Sequence, residues 1–228
     1  MEQYSDIIQT IALTLGASWA SGINLYAALV MLGLLANTGN ATLPADLQIL
    51  ADPRIIGAAG LMYIIEFFAD KVPGVDTGWD TVHTFIRIPA GALLAYGATA
   101  EIDPGLGVAA AIVGGTVSAG AHATKAGSRV LINTSPEPFT NWFASLGEDV
   151  AVIAGLWTAL YHPGIFLVLL VLFIIFVIWL LPKIWRGIKK VFGFIIRLFS
   201  EKHPPPPPEA LPTDPGKIEH ARIEEERS

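Results

Sequence analysis

Residues Gly164–Pro182 read GIFLVLLVLFIIFVIWLLP, nineteen residues without one ionisable side chain. At about 1.5 Å of rise per residue, a helix of this length matches the roughly 30 Å hydrocarbon core of a bilayer. Nothing in a water-soluble globule needs such a helix, and it sets the class of the whole chain. The charge distribution agrees. Charged residues make up 15% of the 228, against roughly 25% in soluble proteins. Of the 34 acids and bases, 11 fall in 201–228, which leaves 23 across the first 200 residues. That is too few to coat a globule of that size. A soluble enzyme, a nucleic-acid-binding module and a disordered regulator are excluded as primary readings. The sequence implies an all-α polytopic membrane protein with the lipid bilayer, and no nucleic acid, as its partner.

Five weaker apolar segments, at about 7–36, 54–70, 84–102, 106–130 and 141–161, bring the expected number of spans to six. The N-terminus (MEQYSD) lacks the basic flank of a signal peptide, so the first segment is expected to stay as a helix. After Pro182 come Lys183, Arg186, Lys189, Lys190 and Arg197, with no acid before Glu201. By the positive-inside rule that end is cytoplasmic, and six spans return the N-terminus to the same side. Residues 183–199 carry Ile184, Ile188, Val191, Ile195 and Phe199 at helical spacing, with most bases on the other face. This predicts an amphipathic interfacial helix on anionic lipid. A polyproline spacer, Pro204–Pro208, and a charged tail follow, so 200–228 is expected to be disordered and cytoplasmic.

The first and fourth segments are alike. Gly16 and Gly22 precede Asn24 as Gly114 and Gly120 precede His122, with small residues filling much of each gap. The second and fifth begin after Pro53 and Pro136 and carry Glu66 and Glu148 at similar offsets. An offset of three spans reverses direction across the membrane, so the pattern predicts an inverted 3+3 repeat, with halves 7–102 and 106–182. In that scheme Gly22 and Gly120 break the first and fourth helices.

An ionisable group at bilayer depth costs about 2.5–3.5 kcal/mol on insertion scales and is a functional candidate by default. Three clusters stand out. In the first, Asp76, Asp80 and His83 share a helical face, as do Glu66 and Asp70 on the helix before, and Arg87 follows. Carboxylates and imidazole in that pattern suit a divalent metal, with Asp76, Asp80 and His83 as ligands, or a proton relay. The bland alternative is a loop with helix caps and a surface Asp70–Lys71 bridge. The second places Lys125 and Arg129 one and two turns below His122, a basic face for a phosphate or carboxylate. The third, Glu148-Asp149, sits in an apolar helix where at least one carboxylate must turn inward, toward Lys125, Arg129 or His83. Glu66 can pair likewise with Arg87. With no cysteine in the chain, thiolate chemistry and disulfides are excluded.

The strings SGINLYA (21–27), FFADKVPGVDTGWDTVHTFIRIPAGALLA (67–95), GAHATKAGSRVLINTSPEPF (120–139) and GEDVAV (147–152) carry a family resemblance. Over about residues 7–185 the chain resembles the bacterial membrane proteins catalogued as domain of unknown function 4126. The resemblance implies an integral membrane protein of the bacterial inner membrane whose signature residues include the charged clusters, and it implies no activity.

The leading expectation is a small transporter, with Asn24 and His122 at helix breaks and Glu66, Asp70, Asp80, Glu148 and Asp149 handling protons or cations. Lys125 and Arg129 would attract an anionic substrate, and so thin a wall of six helices suggests a homodimer. Two alternatives remain: a metal-dependent enzyme on lipid phosphates using Asp76, Asp80, His83, Glu148 and Asp149, and a non-catalytic scaffold working through its tail.

Overall fold

The computed structural model describes residues 2–72, 74–133 and 138–200. The chain is all-helical, with no strand among the described residues. In order it forms α1 (Glu2–Asn37), a short 3-10 helix (Ala45–Ala51), α2 (Pro53–Ala69), α3 (Val75–Thr99), α4 (Pro104–Ile132), α5 (Pro138–Tyr161) and α6 (Pro163–Ser200). It divides into two compact units, Met1–Ile188 and Lys189–Ser228, and the site lies in the first. The basic segment 183–199 belongs to α6, which runs on through Pro182. The expected tail lies outside the described residues, apart from Ser200 at the end of α6.

Helix starts follow from proline. α2, α4, α5 and α6 each open on one, where its missing N–H and fixed φ do no harm. Asp52 and Asp103 cap α2 and α4, accepting from the Arg54 and Leu106 amides at 2.8 Å each. Gly74, at φ +88°, makes the turn into α3.

α1, α4, α5 and α6 are long and apolar enough to cross a membrane, and the 3-10 helix with α2, bent by 68°, makes a fifth candidate. Among the described residues this is fewer than the six expected. α2 has 17 residues, roughly 25 Å of helix, and α3 carries Asp76, Asp80, His83 and Arg87 along its first half.

α1 is the central element, packed by α2, α3, α4 and α5. Its small residues, Ala12, Ala17, Ala20 and Ala28, are buried, and close approach at such residues is how helices associate in lipid. A Cβ added at Gly22 would run into the Ser118 carbonyl of α4, and one at Gly91 would lie 2.5 Å from the Ser118 Cβ. Ser21 and Ser118 both donate to the Arg87 carbonyl, at 2.8 and 2.9 Å, and Ser18 donates to the Gly91 carbonyl at 2.9 Å. Thus α1, α3 and α4 are pinned together by hydroxyls at the level of Arg87.

Both expected helix breaks need correction. α1 does depart from helical geometry, but at Asn24 (φ −144°, ψ 95°) rather than at Gly22. α4 runs continuously through Gly120, whose carbonyl accepts from Thr124 Oγ1 at 2.9 Å. Gly22 serves close packing, a role that two glycines six apart announce equally well.

Candidate functional site

Four helices bring charge to one buried locus. Glu66 lies in the last turn of α2 and Asp70 caps its end, Asp80 and Arg87 stand two turns apart on α3, Lys125 and Arg129 one turn apart on α4, and Glu148 faces them from α5. Arg87 donates to Glu66 Oε1 at 2.5 Å and to Asp80 Oδ1 at 2.9 Å. Lys125 Nζ is the hub, at 2.9 Å from Asp70, 3.3 Å from Glu66, 3.4 Å from Glu148 and 3.7 Å from Asp80. Arg129 donates to Glu148 at 2.8 Å and to the Asn141 carbonyl at 3.0 Å. Of these side chains only Glu148 is noticeably accessible, at 18%.

The arrangement answers a physical demand. An isolated charge is very costly in a low-dielectric interior and persists there only when it is paired and hydrogen-bonded. Each carboxylate of this network has at least one base, but four carboxylates share three bases. The network therefore carries one negative charge more than it balances when every group is ionised. Glu66 Oε2, Asp70 Oδ1 and Asp80 Oδ2 are buried without a hydrogen-bond partner among the described residues.

Asp149 is set apart. It meets no base at ion-pair distance among the described residues; instead Oδ1 accepts from Asn24 Nδ2 at 2.9 Å. Asn24 Oδ1 in turn accepts from the Ala27 amide at 3.0 Å, closing the α1 irregularity from inside. The side chain at the break is thus tied to a carboxyl on α5. His122, 3% exposed, lies between Thr84 Oγ1 (2.7 Å) and Arg87 Nη1 (3.3 Å) and so touches the network.

The candidate metal trio does not converge. Among the described residues no three His, Asp or Glu side chains come close enough to hold a metal ion. Asp80 is engaged by Arg87. His83 is stacked on Trp79 and has its nitrogens at 2.9 Å from the Trp79 carbonyl and 3.1 Å from Tyr26 Oη. Asp76 sits at the start of α3, accepting from the Gly74 and Thr77 amides and from Asn133 Nδ2 at 2.8 Å.

Sequence reasoning missed Asn133, Asn141, Tyr26 and Thr84. Asn141 Nδ2 donates to Asn133 Oδ1 at 2.7 Å, so Asp76 reaches Arg129 through two asparagines. Asn141, Ser145 and Glu148 are spaced i, i+4, i+7, a signal that was there to be read. The Asp70–Lys71 surface bridge of the bland alternative does not form, because Asp70 turns inward to Lys125. Lys71, 8% exposed, lies over the Phe67 ring at 2.9 Å, donates to the Phe67 carbonyl, and meets no carboxylate at ion-pair distance among the described residues. Burial pushes its pKa down.

Long apolar helices around a buried charge network define an integral membrane protein. The chain belongs to the family described as Domain of unknown function (DUF4126), which matches residues 11–183. No curated protein and no solved structure matches it.

Proposed function

We propose that the protein is a small proton- or cation-coupled membrane transporter handling an anionic substrate, with the Lys125-centred network as its coupling element. The observation that carries this reading is the sharing of three buried bases by four carboxylates, three of them buried and Glu148 partly accessible. In such a cluster, adding a proton to one carboxylate releases a base from it. Glu148 is the most accessible member and bridges Lys125 and Arg129, so its protonation would loosen Arg129 toward an anion, while Lys125 keeps Asp70 and Glu66. The α1 irregularity at Asn24, beside Asp149, supplies the interrupted helix that transporters place at their sites.

The wider reading is a six-pass chain in an inverted 3+3 arrangement, both termini cytoplasmic in a bacterial inner membrane, working as a homodimer with 183–199 on anionic lipid. Alternation of six helices is supported by the helix ends. Tyr161 Oη donates to the Asn40 carbonyl and the Ala45 amide to Glu101, which gathers the ends of α1, α3 and α5. Asp76 and Asn133 gather the turn before α3 and the end of α4.

A second reading has its own support: every network carboxylate meets a base, which is what a purely structural ion cluster in a scaffold requires. Proteoliposomes with an internal pH dye and an imposed proton gradient separate the two. Transport predicts dissipation by the wild type and its loss in Glu148→Gln with an unchanged elution profile. Undiminished dissipation by Glu148→Gln, or no dissipation by the wild type of either a proton or a sodium gradient, leaves the scaffold. The metal-dependent enzyme reading has no ligand trio among the described residues to support it.

A further inference from the structure

Lys71 differs from Arg87, Lys125 and Arg129 in having no carboxylate at ion-pair distance, although it is more than nine-tenths buried. It stands just past the end of α2 and borders a cavity of about 550 Å3 whose other walls are Phe67, Phe139, Trp142, Phe143 and Leu146. The Trp142 ring is 5.2 Å from its ammonium. Four of those walls, Phe139, Trp142, Phe143 and Leu146, are strongly exposed and descend the first turns of α5.

We infer that this groove is a binding site for one anionic phospholipid, its phosphate on the Lys71 ammonium and an acyl chain along Phe139, Phe143 and Leu146. Charge complementarity selects the occupant: a buried ammonium with no carboxylate at ion-pair distance among the described residues, beside an open apolar wall, fits an amphiphile with one negative head. Position agrees, because the ends of membrane helices lie at headgroup level, where aromatic side chains gather. The start of α5 adds the positive end of a helix dipole on the same side. A zwitterionic headgroup brings its own cation to the site and gains less. Asp70 and Arg129 of the charge network act on Lys71, but lipid binding here does not require that network to transport.

The test is native mass spectrometry of the full-length protein in detergent, incubated with equal amounts of phosphatidylglycerol and phosphatidylcholine. The wild type should retain phosphatidylglycerol about fivefold over phosphatidylcholine, the ratio one lysine near the surface supports. Lys71→Gln should abolish that preference and Lys71→Arg should keep it. Phe139→Glu, at an exposed rim position where folding is not at stake, should also lower it by repelling the phosphate. Excess inorganic phosphate should not displace the lipid. An unchanged preference in Lys71→Gln and Phe139→Glu overturns the site. So does a preference that vanishes instead when Lys183, Arg186, Lys189 and Lys190 are all changed to Gln, or displacement by free phosphate.

Discussion

Arg87 and Glu66 meet at 2.5 Å with neither side chain exposed, and through this contact the end of α2 is fastened to the middle of α3. The two are not equivalent in the charge balance. Removing Glu66 as Glu66→Gln leaves three carboxylates on three bases, and an amide still accepts from Arg87. Removing Arg87 leaves four carboxylates on two bases, with Glu66 dependent on Lys125 alone. Arg87→Met should therefore lower stability by about 3–5 kcal/mol, the usual result of breaking a buried pair from one side. Glu66→Gln should cost about 1 kcal/mol. Denaturation of the two variants in the same detergent checks the order, and equal losses would refute the surplus of negative charge.

Asp149 and Asn24 hold the break in α1 by one hydrogen bond, and an amide can make that bond as well as a carboxylate can. Asp149→Asn should fold within about 1 kcal/mol of the wild type, whereas Asp149→Leu, which orphans a buried amide, should lose about 1–3 kcal/mol. On the transport reading both variants should be inactive in the proteoliposome assay, because neither can carry a proton. Full proton flux through Asp149→Asn would confine this pair to a structural role.

Glycines in the chain divide by what lies opposite them. A methyl at Gly22 collides with the Ser118 carbonyl and lies 2.7 Å from the Ala121 Cβ, while one at Gly147 meets nothing within 4 Å. Gly22→Ala should cost about 1–3 kcal/mol by overpacking. Gly147→Ala should gain about 0.5–1 kcal/mol through helix propensity. Thermal denaturation of the pair tests whether α1 and α4 approach as closely as described.

Much of this was legible in the residues. Asp52-Pro53 and Asp103-Pro104 announce helix starts, and the pairings of Glu66 with Arg87 and of Glu148 with Arg129 follow from the need of a buried charge for a partner. The hub was not legible, because spacing assigns Lys125 to a face of α4 without saying that α2, α3 and α5 all turn acids toward that face. Gly22 and Gly120 read as breaks since glycine frees the backbone, yet Gly22 equally permits contact. The local pattern placed the α1 break two residues from where it falls, but the bond that ties Asn24 to Asp149, 125 residues away, is in no local pattern. The apolar length of α2 and the charges of α3 blur a count of spans that hydropathy alone made six.

The direction of the helices can be tested on a chain that has no cysteine of its own. Asn40 follows α1 and Thr140 opens α5; both are exposed, and the hydrogen bonds of Asn40 with Tyr161 and of Asp76 with Asn133 put them at different ends of the bundle. With cytoplasmic termini and six passes, Asn40 faces outward and Thr140 inward, the side on which Lys71, Lys125 and Arg129 give the excess of bases. In intact cells a membrane-impermeant maleimide should label Asn40→Cys and should reach Thr140→Cys only after the membrane is opened. The reverse pattern would invert the orientation and with it the side from which Glu148 takes its proton. Labelling of both from one side would mean that the bundle does not alternate across the bilayer, and the inverted repeat would fall with it.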